Sequence, residues 1–87
     1  DAEDLPMIRE KGTGTFEVDA LIRIEDFNEY FETQYLDEDF DTLGGMIVKS
    51  LGRLPHRDER ISIEPMSFKI VKSDNRQVHL IEVRGIE

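Results

Sequence analysis

The sequence predicts one compact α+β domain over residues 1–87, in the order β-β-α-α-β-β-β, with a mostly antiparallel sheet and two helices. Three observations predict it. Three short segments alternate polar and apolar residues, the pattern of half-buried strands, and two more read as short strands without strict alternation. Two further segments carry apolar residues three and four apart, the pattern of helices packed by one face. The length, 87 residues, fits one domain. A chain of that size buries about 60–65% of the surface its unfolded form exposes, enough for one modest core and no deep cleft. With 38% hydrophobic and 36% charged residues the chain could be disordered if its apolar positions were scattered. The two periodicities place them on faces, so it folds.

The elements follow in order. Met7 and Ile8 open a first strand, and Lys11-Gly12-Thr13-Gly14 supplies a turn, because glycine takes positive φ without cost. Thr15-Phe16-Glu17-Val18-Asp19 alternates and completes a hairpin. Ala20-Leu21-Ile22-Arg23 reads as a continuation or a turn. Ile24, Phe27, Tyr30 and Phe31 then form an apolar stripe on a helix over about Glu25–Thr33, with Glu25 and Asp26 in the first turn, where the helix dipole favours negative charge. The strongest helical pattern is Leu43, Met46, Ile47, Ser50, Leu51 and Leu54. Asp39 or Asp41 is the expected N-cap, Gly52 the C-terminal stop, and Pro55 blocks continuation. Gly44 and Gly45 each cost about 1 kcal/mol against alanine inside a helix, so they predict close backbone approach to another element. Three strands follow: Arg60–Glu64, Pro65–Val71 with Met66, Phe68 and Ile70 on one face, and Gln77–Arg84. The alternation of the last shifts at Leu80-Ile81, which predicts either two covered faces or a bulge.

Charge is uneven and narrows function. The net charge is -9; residues 1–48 hold fourteen acids and three bases, residues 49–87 six acids and eight bases, and no Lys or Arg lies between Arg23 and Lys49. Nucleic acid is disfavoured as a partner, because phosphate binding needs a concentrated basic face. Anionic lipid is disfavoured for the same reason. Divalent cations or a basic protein surface fit better, against the plainer reading of a solvated acidic face. No cysteine is present, which excludes disulfides and thiolate metal sites. No apolar run approaches the roughly 20 residues that cross a bilayer, so direct membrane insertion by this segment is not expected. Asp1-Ala2-Glu3-Asp4 lacks a signal-peptide pattern, and the abrupt start is expected of a piece of a longer protein.

Few residues carry chemistry. His56 follows Pro55 and His79 lies in a strand; no nucleophile–base arrangement can be argued for either, and a surface role is the plain expectation. Abundant carboxylates in an acidic chain are no evidence of acid–base catalysis, so no enzyme is expected. Asp37, Asp39 and Asp41 are the candidate metal ligands, since Mg²⁺ and Ca²⁺ take carboxylate oxygens at such alternate spacing. A calcium-loop pattern fails, because Thr42 and Val48 stand where glycine and glutamate are needed. Helix capping and solvation account for the same acids. Neither Gly12-x-Gly14 nor Gly44-Gly45 is a dinucleotide fingerprint.

The stretch Asp39-Phe40-Asp41-Thr42-Leu43-Gly44-Gly45, followed by a short helix and Leu51-Gly52-Arg53-Leu54-Pro55, resembles the signature of the CorC/HlyC transporter-associated domain. The flanking hairpin, the first helix and the three closing strands fit that family too, and Ala20 stands where it often has glycine. The resemblance implies a fold related to part of an FAD-binding oxidase domain. It implies a non-catalytic regulatory role in a magnesium or cobalt efflux, or haemolysin-like, protein. Partners would be CBS domains, and in some members a transmembrane domain, of the same parent chain, with the domain on the cytoplasmic side. FAD is implied only by the fold analogy. Docking or homo-oligomerisation has its own warrant in the sequence: Tyr35, Leu36, Phe40 and the second face of the last strand exceed what one small core hides.

Overall fold

The computed structural model describes residues 7–36 and 38–85. Seven elements follow in order: β1 Ile8–Gly12, β2 Thr15–Asp19, α1 Ile24–Phe31, α2 Leu43–Leu51, β3 Arg60–Ile63, β4 Met66–Ser73 and β5 Val78–Gly85. They make the expected β-β-α-α-β-β-β order. The strands form one antiparallel sheet, ordered β1-β2-β5-β4-β3. No helix among the described residues is long and apolar enough to cross a membrane.

Register explains why the sheet has two unlike faces. Directly opposed residues point to the same side of a pleated sheet. Ile8, Val18, Ile81 and Ile70 are opposed in one row, and Phe16, Val83, Phe68 and Ile61 in the next. These rows make the inner face. On the outer face Arg9, Glu17, Glu82, Lys69 and Arg60 form a charged row across all five strands. Glu17 is 9% exposed, and its carboxylate accepts from Arg9 at 2.7 Å and Lys11 at 3.1 Å. A buried acid needs such partners, since burying an unpaired charge is costly.

The helices cover the inner face through Ile24, Phe27, Leu43, Met46 and Ile47, all buried. Phe27 sits at the centre of an aromatic group, with ring centroids 4.5 Å from Phe31, 5.9 Å from Tyr35 and 6.1 Å from Phe68. Removing such a ring costs about 3–5 kcal/mol.

Several expectations hold in kind and shift in detail. The first helix begins at Ile24 and ends at Phe31, with Glu32 as its left-handed cap at φ 57°. Ala20–Arg23 is a turn, in which the Asp19 carboxylate accepts the Leu21 amide at 2.8 Å. Ala20 keeps negative φ, so alanine is accommodated there. The alternation shift in β5 is a bulge: Ile70 opposes Ile81, Lys72 opposes Leu80, and Ser73 opposes Val78, leaving Val71 and His79 out of register.

Candidate functional site

The signature stretch builds one substructure around α2. Its start is fixed by a distant segment. The Ile24 amide donates to the Asp41 carbonyl at 2.9 Å and the Leu43 amide to the Ile22 carbonyl at 2.9 Å, with Arg23 and Thr42 bridged between them. This pairing places Thr42, and not Asp39 or Asp41, at the N-cap, where its Oγ1 accepts the Gly45 amide at 3.1 Å. The expected aspartate cap is thus corrected: the Asp41 carbonyl is committed to α1, the chain is still extended at Thr42, and α2 begins at Leu43. Gly52, left-handed at φ 78°, ends the helix.

Gly44 fulfils the close approach its sequence position implies. Its amide donates to the Ala20 carbonyl at 2.9 Å. A Cβ there would stand 3.1 Å from the Ala20 Cβ and 3.2 Å from its oxygen. The backbone contact between α2 and the turn after β2 therefore disfavours any side chain at Gly44, since the Ala20 backbone would have to give way. It also answers the flavin analogy. The amides of Leu43, Gly44, Gly45 and Met46 all donate within the chain, to Ile22, Ala20 and Thr42. The first turn of α2 has no free donors with which to hold a pyrophosphate, and the residues present do not fit FAD there.

Two pockets flank α2. One, of about 400 Å³, has a floor of Ala20 and Gly45, walls of Leu21, Val48, Leu54 and Val78, and the bases Lys49 and Arg76 in its lining. The other, of about 380 Å³, is lined by Tyr35, Leu36, Phe40, Met46 and Ile63 with the acids Glu38 and Asp39. At 3.6 residues per turn, Gly45, Val48 and Lys49 lie roughly 130° round α2 from Met46 and Ser50 of the second pocket. Leu21 is 60% exposed and Leu36 is 71% exposed. Of the expected apolar surplus, Tyr35 and Phe40 pack against the core, Leu80 is half-buried on the outer sheet face, and Leu36 stands out in solvent.

The acidic flank is held by a residue the sequence pattern did not single out. Asn28 donates from Nδ2 to the Tyr35 carbonyl at 2.8 Å, and its Oδ1 accepts from the Thr33 hydroxyl at 2.8 Å and the Tyr35 amide at 3.0 Å. The Tyr35 hydroxyl in turn donates to the Ile63 carbonyl and accepts the Met66 amide at 3.3 Å. Burial pushes the Tyr35 phenol up to about 12, the Met66 amide opposing it.

Of the candidate metal ligands, Asp37 lies outside the described residues, and Asp39 and Asp41 are exposed. Among the described residues no three of His, Cys, Asp and Glu are grouped to hold a metal ion. His79, in β5, meets Asp74 in the β4–β5 turn at 2.8 Å, and this contact pulls the Asp74 carboxyl down to about 2. His56 is exposed, its amide donating to Glu59 at 2.9 Å. Glu59 is likewise pulled down to about 2, by the Arg53 guanidinium first and that amide second.

Comparison with known proteins converges on one family. The transporter associated domain family, CorC_HlyC, matches residues 9–87. The magnesium and cobalt efflux protein CorC of Pasteurella multocida is 43% identical over 84 residues, which are 97% of this chain and 27% of that protein. The same-named protein of Buchnera aphidicola is 45% identical over 83 residues, 95% of this chain and 28% of that protein. Among solved structures, the region associated with a CorC-type Mg²⁺ and Co²⁺ transporter from Neisseria meningitidis superposes with a TM-score of 0.91 at 32% identity, covering 93% of this chain and all of that one. The chain thus spans a little over a quarter of the length of the curated relatives it matches.

Proposed function

The chain belongs to the CorC_HlyC transporter associated domain family, and on that premise we propose that it is a non-catalytic docking module that regulates ion efflux in a longer protein. The observation that supports this most is the use of the signature. Thr42, Gly44, Gly45 and Leu54 make no catalytic constellation; they cap α2, seat it on Ala20 and line an open apolar pocket beside exposed Leu21. Contiguous exposed apolar surface marks contact sites, and Leu21 is continuous with the apolar lining of Val48, Leu54 and Val78. The contacts would be with CBS domains of the same parent chain, on the cytoplasmic side, so that ligand state is passed to the transporting part.

Efflux of Mg²⁺ or Co²⁺ in the longer protein with and without this segment tests the reading. The expected result is retained transport that no longer responds to internal cation level. Transport that responds as before without the segment overturns the regulatory role.

A further inference from the structure

The two flanks of α2 are complementary in charge, Lys49 and Arg76 on one and Glu38 and Asp39 on the other. The pocket on one flank is apolar, floored by alanine and glycine, and carries Lys49 and Arg76. Neither base has a carboxylate within salt-bridge distance among the described residues. The other flank presents Leu36, the most exposed large apolar side chain among the described residues, with exposed Glu38 and Asp39 nearby. A chain of net charge -9 repels its own copies except where it offers bases. Lys49 is the first base after Arg23 and stands on this pocket.

We propose that the basic pocket on α2 receives Leu36 and its acidic neighbours from a second copy of this chain. Leu36 enters between Leu21, Val48 and Leu54, while Glu38 and Asp39 of the entering copy meet Lys49 and Arg76. Because donor and acceptor surfaces lie on the two flanks of one helix, roughly 130° apart, a two-fold arrangement with its axis parallel to α2 and outside it lets each copy fill the other's pocket, as closed dimers require. The proposal deepens the reading of the chain as a docking module and names one partner for the pocket.

Sedimentation of the chain between about 10 µM and about 1 mM, the range of weak association, tests it. The wild-type chain is expected to associate over this range. Leu36→Asp, at a solvent-exposed position that the fold does not need, should weaken association about tenfold or more, as removal of a buried anchor does. Lys49→Glu with Arg76→Glu should do the same. Adding Glu38→Lys and Asp39→Lys to that pair should restore association, since the charges are then exchanged. A chain monomeric at about 1 mM overturns the proposal, as does a charge exchange that restores nothing. A monomer whose Val48 and Val78 resonances shift saturably with octanoate and not with octanol also overturns it, and assigns the pocket to a small amphiphilic anion. Failure here leaves the regulatory reading standing, because that reading is measured by transport in the longer protein and not by self-association.

Discussion

The two flanks of α2 are held to the molecule by different means. On the basic flank the contact is backbone against backbone: Gly44 touches Ala20 with no side chain between them. On the acidic flank the contact is a side-chain network, Asn28 gathering Thr33 and Tyr35 while the Tyr35 hydroxyl ties the loop to Ile63 and Met66. The first contact favours glycine and leaves a clear signature. The second can be built in many ways and leaves none. That difference explains why Gly44-Gly45 is conspicuous in the sequence while Asn28 is silent.

The largest expected effect comes from breaking the backbone contact. Gly44→Val would drive a branched side chain into the Ala20 carbonyl and should cost about 3 kcal/mol, the upper part of the usual overpacking range, read by denaturant unfolding. Asn28→Ala removes the hub of the other flank and leaves the Tyr35 amide and carbonyl without their partner. About 2 kcal/mol is expected, within the range for unmaking partly buried hydrogen bonds. If the two variants cost the same, the contrast between the flanks is weaker than the geometry implies. Thr42→Ala deletes the α2 cap and should cost about 1 kcal/mol, whereas Asp39→Ala and Asp41→Ala should each cost about 0.5 kcal/mol or less, as surface changes do.

The pH dependences sharpen the same comparison. Tyr35 titrates in the folded chain at about 12, above its ordinary value of 10.0. Its contribution is fully present below the ordinary value and is lost as pH rises toward 12, loosening the acidic flank. An absorbance titration of the Tyr30→Phe variant, which leaves Tyr35 as the one tyrosine, is expected to show a transition near 12; a transition near 10 would refute the burial of that hydroxyl. At the other extreme, Glu59 and Asp74 titrate at about 2. What they contribute is present above their ordinary values and fades as pH falls toward 2. Asp74 is exposed and Glu59 only half-buried, both open to solvent screening, so the effect on the unfolding midpoint should be the smallest of these.

Much of the fold was legible along the chain because it is local. Thr15–Asp19 alternates and is a strand; Leu43, Met46 and Ile47 recur at helical spacing and are buried; Met66, Phe68 and Ile70 face the core as their spacing requires. The bulge near Leu80-Ile81 was visible as a break in alternation. The cap of α2 was not, since Asp39, Asp41 and Thr42 can each accept an amide and the choice is made by pairing with Ile22–Ile24, about twenty positions away. The basic pocket was not legible either. It needs Arg76 and Val78, from the β4–β5 hairpin, beside Lys49 of α2, and no sequence period relates those positions. The acids at 37, 39 and 41 stood out by composition, yet spacing alone could not say whether they gather.

The most direct test of the central claim, that α2 carries the docking surface of a regulatory domain, places one charge change in two locations of the longer protein. Lys49→Glu with Arg76→Glu alters the α2 pocket, and Arg60→Glu with Lys69→Glu alters the outer sheet face by the same net charge. Cation-dependent regulation of efflux is the quantity to measure, with the unfolding midpoint of each variant chain as control. Loss of regulation in the pocket variant alone is the predicted result. Equal loss in both variants, or none in either, would contradict the account.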